Sequence, residues 1–88
     1  MGGYSLYYKP SVEKDLRRIQ SSLLSPILKK IEQLSSQPIT AKSVKLAGSD
    51  SYYRIRVGDY RIIYAVDHSL KQVTVHYIRH RRDVYRSL

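Results

Sequence analysis

The chain has 88 residues and no cysteine, which bounds it to one small domain, residues 1–88, near the lower size limit for a self-sufficient core. Disulfides and thiolate metal sites are excluded, and no apolar run approaches the roughly 20 residues that span a bilayer. Sixteen Lys and Arg against seven Asp and Glu give a formal net charge of +9, so an anionic partner is expected, either nucleic acid or a small acidic protein.

The N-terminal Met1-Gly2-Gly3-Tyr4 has neither the charged nor the apolar region of a signal peptide, and a cytoplasmic protein without a membrane partner is expected. Tyr4 to Lys9 is a short β-like run that stops at Pro10. Ser11 is placed to cap a helix. Val12, Leu16, Ile19 and Leu23 recur at helical steps and form one apolar face. Glu13, Lys14, Asp15, Arg17 and Arg18 are assigned to the opposite side. Ser25-Pro26 reads as the start of a second helix, continued by Ile27, Ile31 and Leu34 and stopped at Gln37-Pro38. Residues 39–51 read as a loop. Tyr52 to Val57 and Tyr60 to Val66 alternate around Gly58-Asp59, a two-residue hairpin turn in which Asp59 reads as turn chemistry. A loop at 67–71 leads to a last strand, Gln72 to Arg79, and then to a basic tail. The expected fold is α+β, ordered β-α-α-β-β-β, with a helical hairpin on one face of a small antiparallel sheet.

The charge changes character along the chain. Residues 1–44 carry net +4, mostly as Lys, and residues 45–88 carry net +5, mostly as Arg. Lys on a helix is ordinarily a solvated face. Arginine offers a planar fork of donors suited to phosphate. A turn at Gly58-Asp59 sets Arg56 opposite Arg61, and alternation then gathers Arg54, Arg56 and Arg61 on one face. Tyr53, Ile55, Val57, Ile62 and Tyr64 take the other. Like charges placed directly opposite each other are destabilising, so the pair makes sense where an anion lies between them. In the favoured register of the last strand, Arg61 faces Tyr77, and Val73, Val75, Tyr77, Arg79 and Arg81 extend the arginine face. A loop one residue shorter brings His76 and His80 there instead.

Lys45-Leu46-Ala47-Gly48, YYRIRVGDYRIIYAVD at 52–67 and HRRDVYR at 80–86 together resemble the RelE/ParE superfamily of bacterial and archaeal toxins. The resemblance covers nearly the whole chain, and the expected element order agrees with it. It implies the toxin of a type II toxin–antitoxin pair. The RelE branch cleaves mRNA in the ribosomal A site, and the ParE branch poisons DNA gyrase without nuclease chemistry. Carried over by position, the RelE-type catalytic set is Arg56, Arg61, Arg81 and Tyr85. Arg54, Arg79, Arg82 and Lys45 are expected to bind RNA, with Arg79 a close alternative to Arg81. The family often has Lys or Arg where Arg54 and Arg56 stand. Retention of Arg61, Arg81 and Tyr85 favours the nuclease branch. The implied partners are a cognate acidic, RelB-like antitoxin in the resting state, and rRNA with mRNA in the active one.

Cleavage without a metal uses the ribose 2′-OH as nucleophile and leaves a 2′,3′-cyclic phosphate and a 5′-OH. Arg61 and Arg81 suit the stabilisation of developing phosphate charge, but a guanidinium is a poor acid or base. Tyr85 is a candidate for proton exchange or for stacking on a base. His80 and His76 titrate nearer neutrality. The proton acceptor therefore stays open among Tyr85, His80 and an arginine. The three His and scattered acids lack ligand spacing, so neither metal nor other cofactor is expected. Tyr53, Tyr60 and Tyr64 are assigned to packing, His68 to a loop, and Asp83 to pairing with Arg79, Arg82 or Arg86. A gyrase inhibitor, or a basic nucleic-acid-binding module without toxicity, remains an alternative on the same residues.

Overall fold

The computed structural model describes residues 3–48 and 51–81. The chain runs β1 (Ser5–Tyr8), α1 (Pro10–Arg17), α2 (Ser21–Gln33), β2 (Val44–Lys45), β3 (Tyr52–Val57), β4 (Tyr60–Asp67) and β5 (Gln72–His80). The five strands form one sheet in the order β1-β5-β4-β3-β2. The α+β class and the expected element order are present, with two differences. β1 pairs parallel to β5, so the sheet is mixed rather than wholly antiparallel. The segment expected to be loop contributes β2, which pairs Val44 with Arg54 and Lys45 with Tyr53.

The helices pack on one sheet face. Val12, Ile19, Ile27, Ile31 and Leu34 meet Ile55, Ile62, Tyr64, Val66, Val73, Val75 and Ile78 in a single core. The helix boundaries depart from the sequence reading. Pro10 holds the first helical position after Lys9, and Ser11 is not the cap: its hydroxyl donates to the His76 carbonyl at 3.1 Å. The break falls at residues 18–20 rather than at Ser25. Ile19 remains buried within that turn, so the apolar periodicity runs through the break without recording it. Pro26 lies inside α2, where it cannot donate to the Ser22 carbonyl one turn back. Ser22 is exposed, so water can satisfy that oxygen.

Tyr64 anchors the segment leading into β2. Its hydroxyl donates to the Pro38 carbonyl at 2.8 Å. That uses its only proton, so Ser43 donates to the phenol oxygen at 2.7 Å. Burial pushes the phenol pKa up, partly offset by the Ser43 hydrogen bond. Tyr64→Phe strands both partners and is expected to cost about 1–2 kcal/mol, read as a lower urea midpoint at an unchanged m-value.

Candidate anion-binding pocket on the arginine face

The β3–β4 hairpin has the expected register. Val57 pairs with Tyr60, Arg56 with Arg61 and Ile55 with Ile62. A two-residue turn leaves no freedom of register, and positive φ falls on Gly58 (58°) and not on Asp59, the pattern of a type II′ turn. Ile55, Ile62 and Tyr64 accordingly lie in the core, with Tyr53 and Val57 against it. Arg54, Arg56 and Arg61 share the outer face. Arg61 is buried there, with 7% of its surface exposed, whereas Arg56 is exposed.

β5 follows neither register considered from sequence. Arg61 pairs with Arg79, not with Tyr77, and Ile63 pairs with Tyr77. Between Ile63 and Tyr64 the ladder shifts, so that Tyr64 faces Val75 and His76 is left as an extra residue. This bulge corrects the assignment of Val73 and Val75. Both are fully buried on the helix side, whereas Tyr77 and Arg79 lie on the arginine side. The extra residue lets one strand supply core residues at 73, 75 and 78. His80 pairs with Tyr60 on the helix-facing side, with ring centroids 5.2 Å apart. His76 meets the Tyr52 ring at 4.9 Å.

A pocket of about 130 Å³ opens at the hairpin turn, lined by Arg56, Gly58, Asp59, Arg61 and Arg81. Three arginines from three segments thus line one cavity. The Arg81 amide donates to the Asp59 carbonyl at 2.8 Å, which ties the end of β5 to the turn. A cavity with this lining is suited to a phosphate group.

The other expected site residues are distributed differently. Arg79 does not line the pocket. It pairs with Asp15 of α1, and its guanidinium carbon lies 4.9 Å from the centre of the Tyr77 ring. Asp15 is 6% exposed and also accepts the Ile78 amide at 2.9 Å, which corrects its assignment to the solvent side of the helix. It sits three residues after Val12 and four before Ile19, on the apolar stripe, and that spacing is the signal that could have found it. Arg54 lies opposite Ile63, one row from the pocket, and its buried Nε has no hydrogen-bond partner among the described residues. Lys45 is exposed on β2, and its pairing with Tyr53 puts it on the helix-facing side. Tyr85, Arg82 and Asp83 lie outside the described residues. No group of three His, Asp or Glu that could hold a metal occurs among the described residues.

His76 supplies a pH-dependent contribution to stability. Burial, and then the charge of Lys9, hold its pKa below the ordinary histidine value of about 6.5. As pH falls below about 6.5 the unfolded chain takes up a proton that the folded chain does not, so stability declines until the folded imidazole itself titrates. Denaturant titrations between about pH 7 and 5 are expected to show this decline in the wild type and a flatter profile in His76→Gln.

Two helices on a five-stranded mixed sheet form an architecture shared with RelE toxins in solved toxin–antitoxin complexes. Residues 6–85 match the family described as the ParE toxin of the type II toxin–antitoxin system parDE, and the chain belongs to this family. Its likeness to named proteins is to RelE. A candidate toxin named RelE1 from Methanocaldococcus jannaschii is 32% identical over 79 residues, covering 86% of this chain and 88% of that protein. RelE in the RelB–RelE complex of Methanococcus jannaschii superposes with a TM-score of 0.78 at 26% identity, over 93% of this chain and 98% of that one. The RelE–RelB complex of Pyrococcus horikoshii OT3 gives 0.79 at 26% identity, over 89% and 94%.

Proposed function

We propose that this RelE-like toxin is a ribosome-dependent mRNA endonuclease, cleaving in the A site by attack of a ribose 2′-OH on the adjacent phosphate. The observation that carries the reading is the convergence of Arg56, Arg61 and Arg81 on one pocket. Fixed guanidiniums aimed at a phosphate stabilise the charge that accumulates on its oxygens as the 2′-oxygen bonds to phosphorus. Arg61 is the buried, rigid member and faces the phosphate, with Arg81 and Arg56 closing round it. Tyr85 is assigned to proton exchange or to stacking on a base. Arg54, one row from the pocket, is assigned to binding the RNA backbone, and Arg82 is assigned to RNA binding from its sequence position alone. Most of the acceleration then comes from electrostatics and from holding the RNA in line, so cleavage is strong where the ribosome positions the codon and weak on free RNA.

The partner in the resting state is an acidic, RelB-like antitoxin. This is supported by the RelE chains in the similar complexes being bound to RelB, and by the net charge of +9. Induced expression followed by primer extension on a translated message tests the reading. Cuts within codons are expected, and an intact message in growth-arrested cells refutes it. The matched family is named for ParE, which favours a second reading, a gyrase inhibitor without nuclease activity. That reading predicts DNA breaks and an SOS response, with toxicity unaffected by Arg81→Ala.

A further inference from the structure

A pocket built from arginines binds a phosphate but does not accept a proton. Of the five described residues lining it, three are Arg and one is Gly, and a guanidinium stays protonated because its pKa lies above about 12. The fifth is Asp59, the one lining residue among the described residues able to take up a proton. It stands at the second central position of the hairpin turn, between β3, which carries Arg56, and β4, which begins with Tyr60 and carries Arg61. Its own carbonyl fixes the Arg81 amide. The imidazole of His80 is not a pocket residue: it meets the Tyr60 ring on the side of the sheet that faces the helices. Among the described residues, the charged and titratable groups around Asp59 are therefore Arg56, Arg61 and Arg81, with the Tyr60–His80 ring pair next to the turn.

Resting on the nuclease reading, we propose that Asp59 is the general base that accepts the 2′-OH proton. The ribose oxygen gives its proton to the carboxylate and forms the bond to phosphorus. The bond from phosphorus to the 5′-oxygen breaks, and that oxygen keeps the electron pair and takes a proton from water. Asp59 then returns its proton to solvent, so no net proton is gained or lost. The arginines hold the phosphate that the nucleophile attacks, and the acid beside them activates the nucleophile. The turn thus serves both tasks from adjacent strands.

The test is single-turnover cleavage of mRNA on programmed ribosomes across a pH series, with wild type, Asp59→Asn and Asp59→Glu. Asn is well tolerated in turns, and the Asp59 carbonyl bond to Arg81 does not involve the side chain, so the Asn variant is expected to fold, as thermal melting will show. General-base loss is expected to slow cleavage about 100-fold or more while ribosome binding is retained. The wild-type rate falls towards acid pH, that acid limb vanishes in Asp59→Asn, and Asp59→Glu keeps the limb with part of the rate. Asp59→Asn cleaving within about threefold of wild type overturns the assignment. So does a slow Asp59→Asn that keeps the acid limb, because the side chain then acts only through structure. Wild type that binds ribosomes and cuts nothing refutes the nuclease reading itself, and the two failures are thereby distinguished.

Discussion

Arg61→Ala is expected to reduce mRNA cleavage on the ribosome by about 10²–10³-fold, the loss that follows removal of one preorganised donor to a developing oxyanion. Arg61 is the natural choice for the largest effect. It is the buried arginine of the pocket, at the centre of the row Arg56–Arg61–Arg79, and burial lowers the local dielectric and strengthens its pull on phosphate. Arg56→Ala should cost less, because Arg56 is exposed and its field is screened by water. Arg61→Lys keeps the charge but loses the fork, and should fall between wild type and Arg61→Ala. Stability should move little in Arg56→Ala, since that change also relieves a like-charge pair across the hairpin. Wild type, the three variants and Arg61→Ala/Arg81→Ala are compared by single-turnover cleavage and by thermal melting. Full cleavage in Arg61→Ala would remove the pocket from the chemistry.

Asp15→Ala is the change expected to cost most in stability, about 2–3 kcal/mol. Breaking a buried ion pair by removing one partner typically costs 3–5 kcal/mol, and the lower figure applies because the Arg79 side chain is about one-third exposed and regains water. Against the roughly 4–13 kcal/mol that holds a domain of this size together, the loss is large. The carboxylate has two tasks. It pairs with Arg79, and it accepts the Ile78 amide where β1 has ended and, among the described residues, no strand pairs with β5 on that side. Asp15→Asn keeps an acceptor for the amide and should lose less. Urea unfolding measures both, and a double-mutant cycle with Arg79→Ala should give a coupling of at least about 0.5 kcal/mol. The same geometry separates two late arginines that sequence left close. Arg79 is held by α1 and Arg81 lines the pocket, so Arg81→Ala should impair cleavage more than Arg79→Ala.

The residues differ in how far they could be read in advance, and the reasons are physical. The central hairpin was legible because a two-residue turn sets the register and strand alternation sets the faces. From Gly58-Asp59 alone follow the pairing of Arg56 with Arg61, the buried Ile55 and Ile62, and the common face of three arginines. The α+β class and the order of the main elements were legible from apolar periodicity. The helix break was not, because Ile19 stays in the core through the turn and keeps the periodicity intact. β2 was not, since a two-residue strand carries no period and exists only through its pairing with β3.

Length, composition and local pattern thus determined a small basic α+β chain with an arginine-bearing hairpin, since these depend on neighbours in sequence. Tertiary structure alone decided which cations enter the pocket. The bulge at His76 turns Val73 and Val75 to the core yet leaves Arg79 on the outer face. Asp15, 64 residues away in sequence, then takes Arg79, and the Asp59 carbonyl brings in Arg81. Such contacts depend on the registry of elements that are distant in the chain, and local periodicity carries no record of it. The charge of +9 therefore serves several ends: a solvated helix surface, a structural clamp on α1, and a pocket of three arginines around one acid.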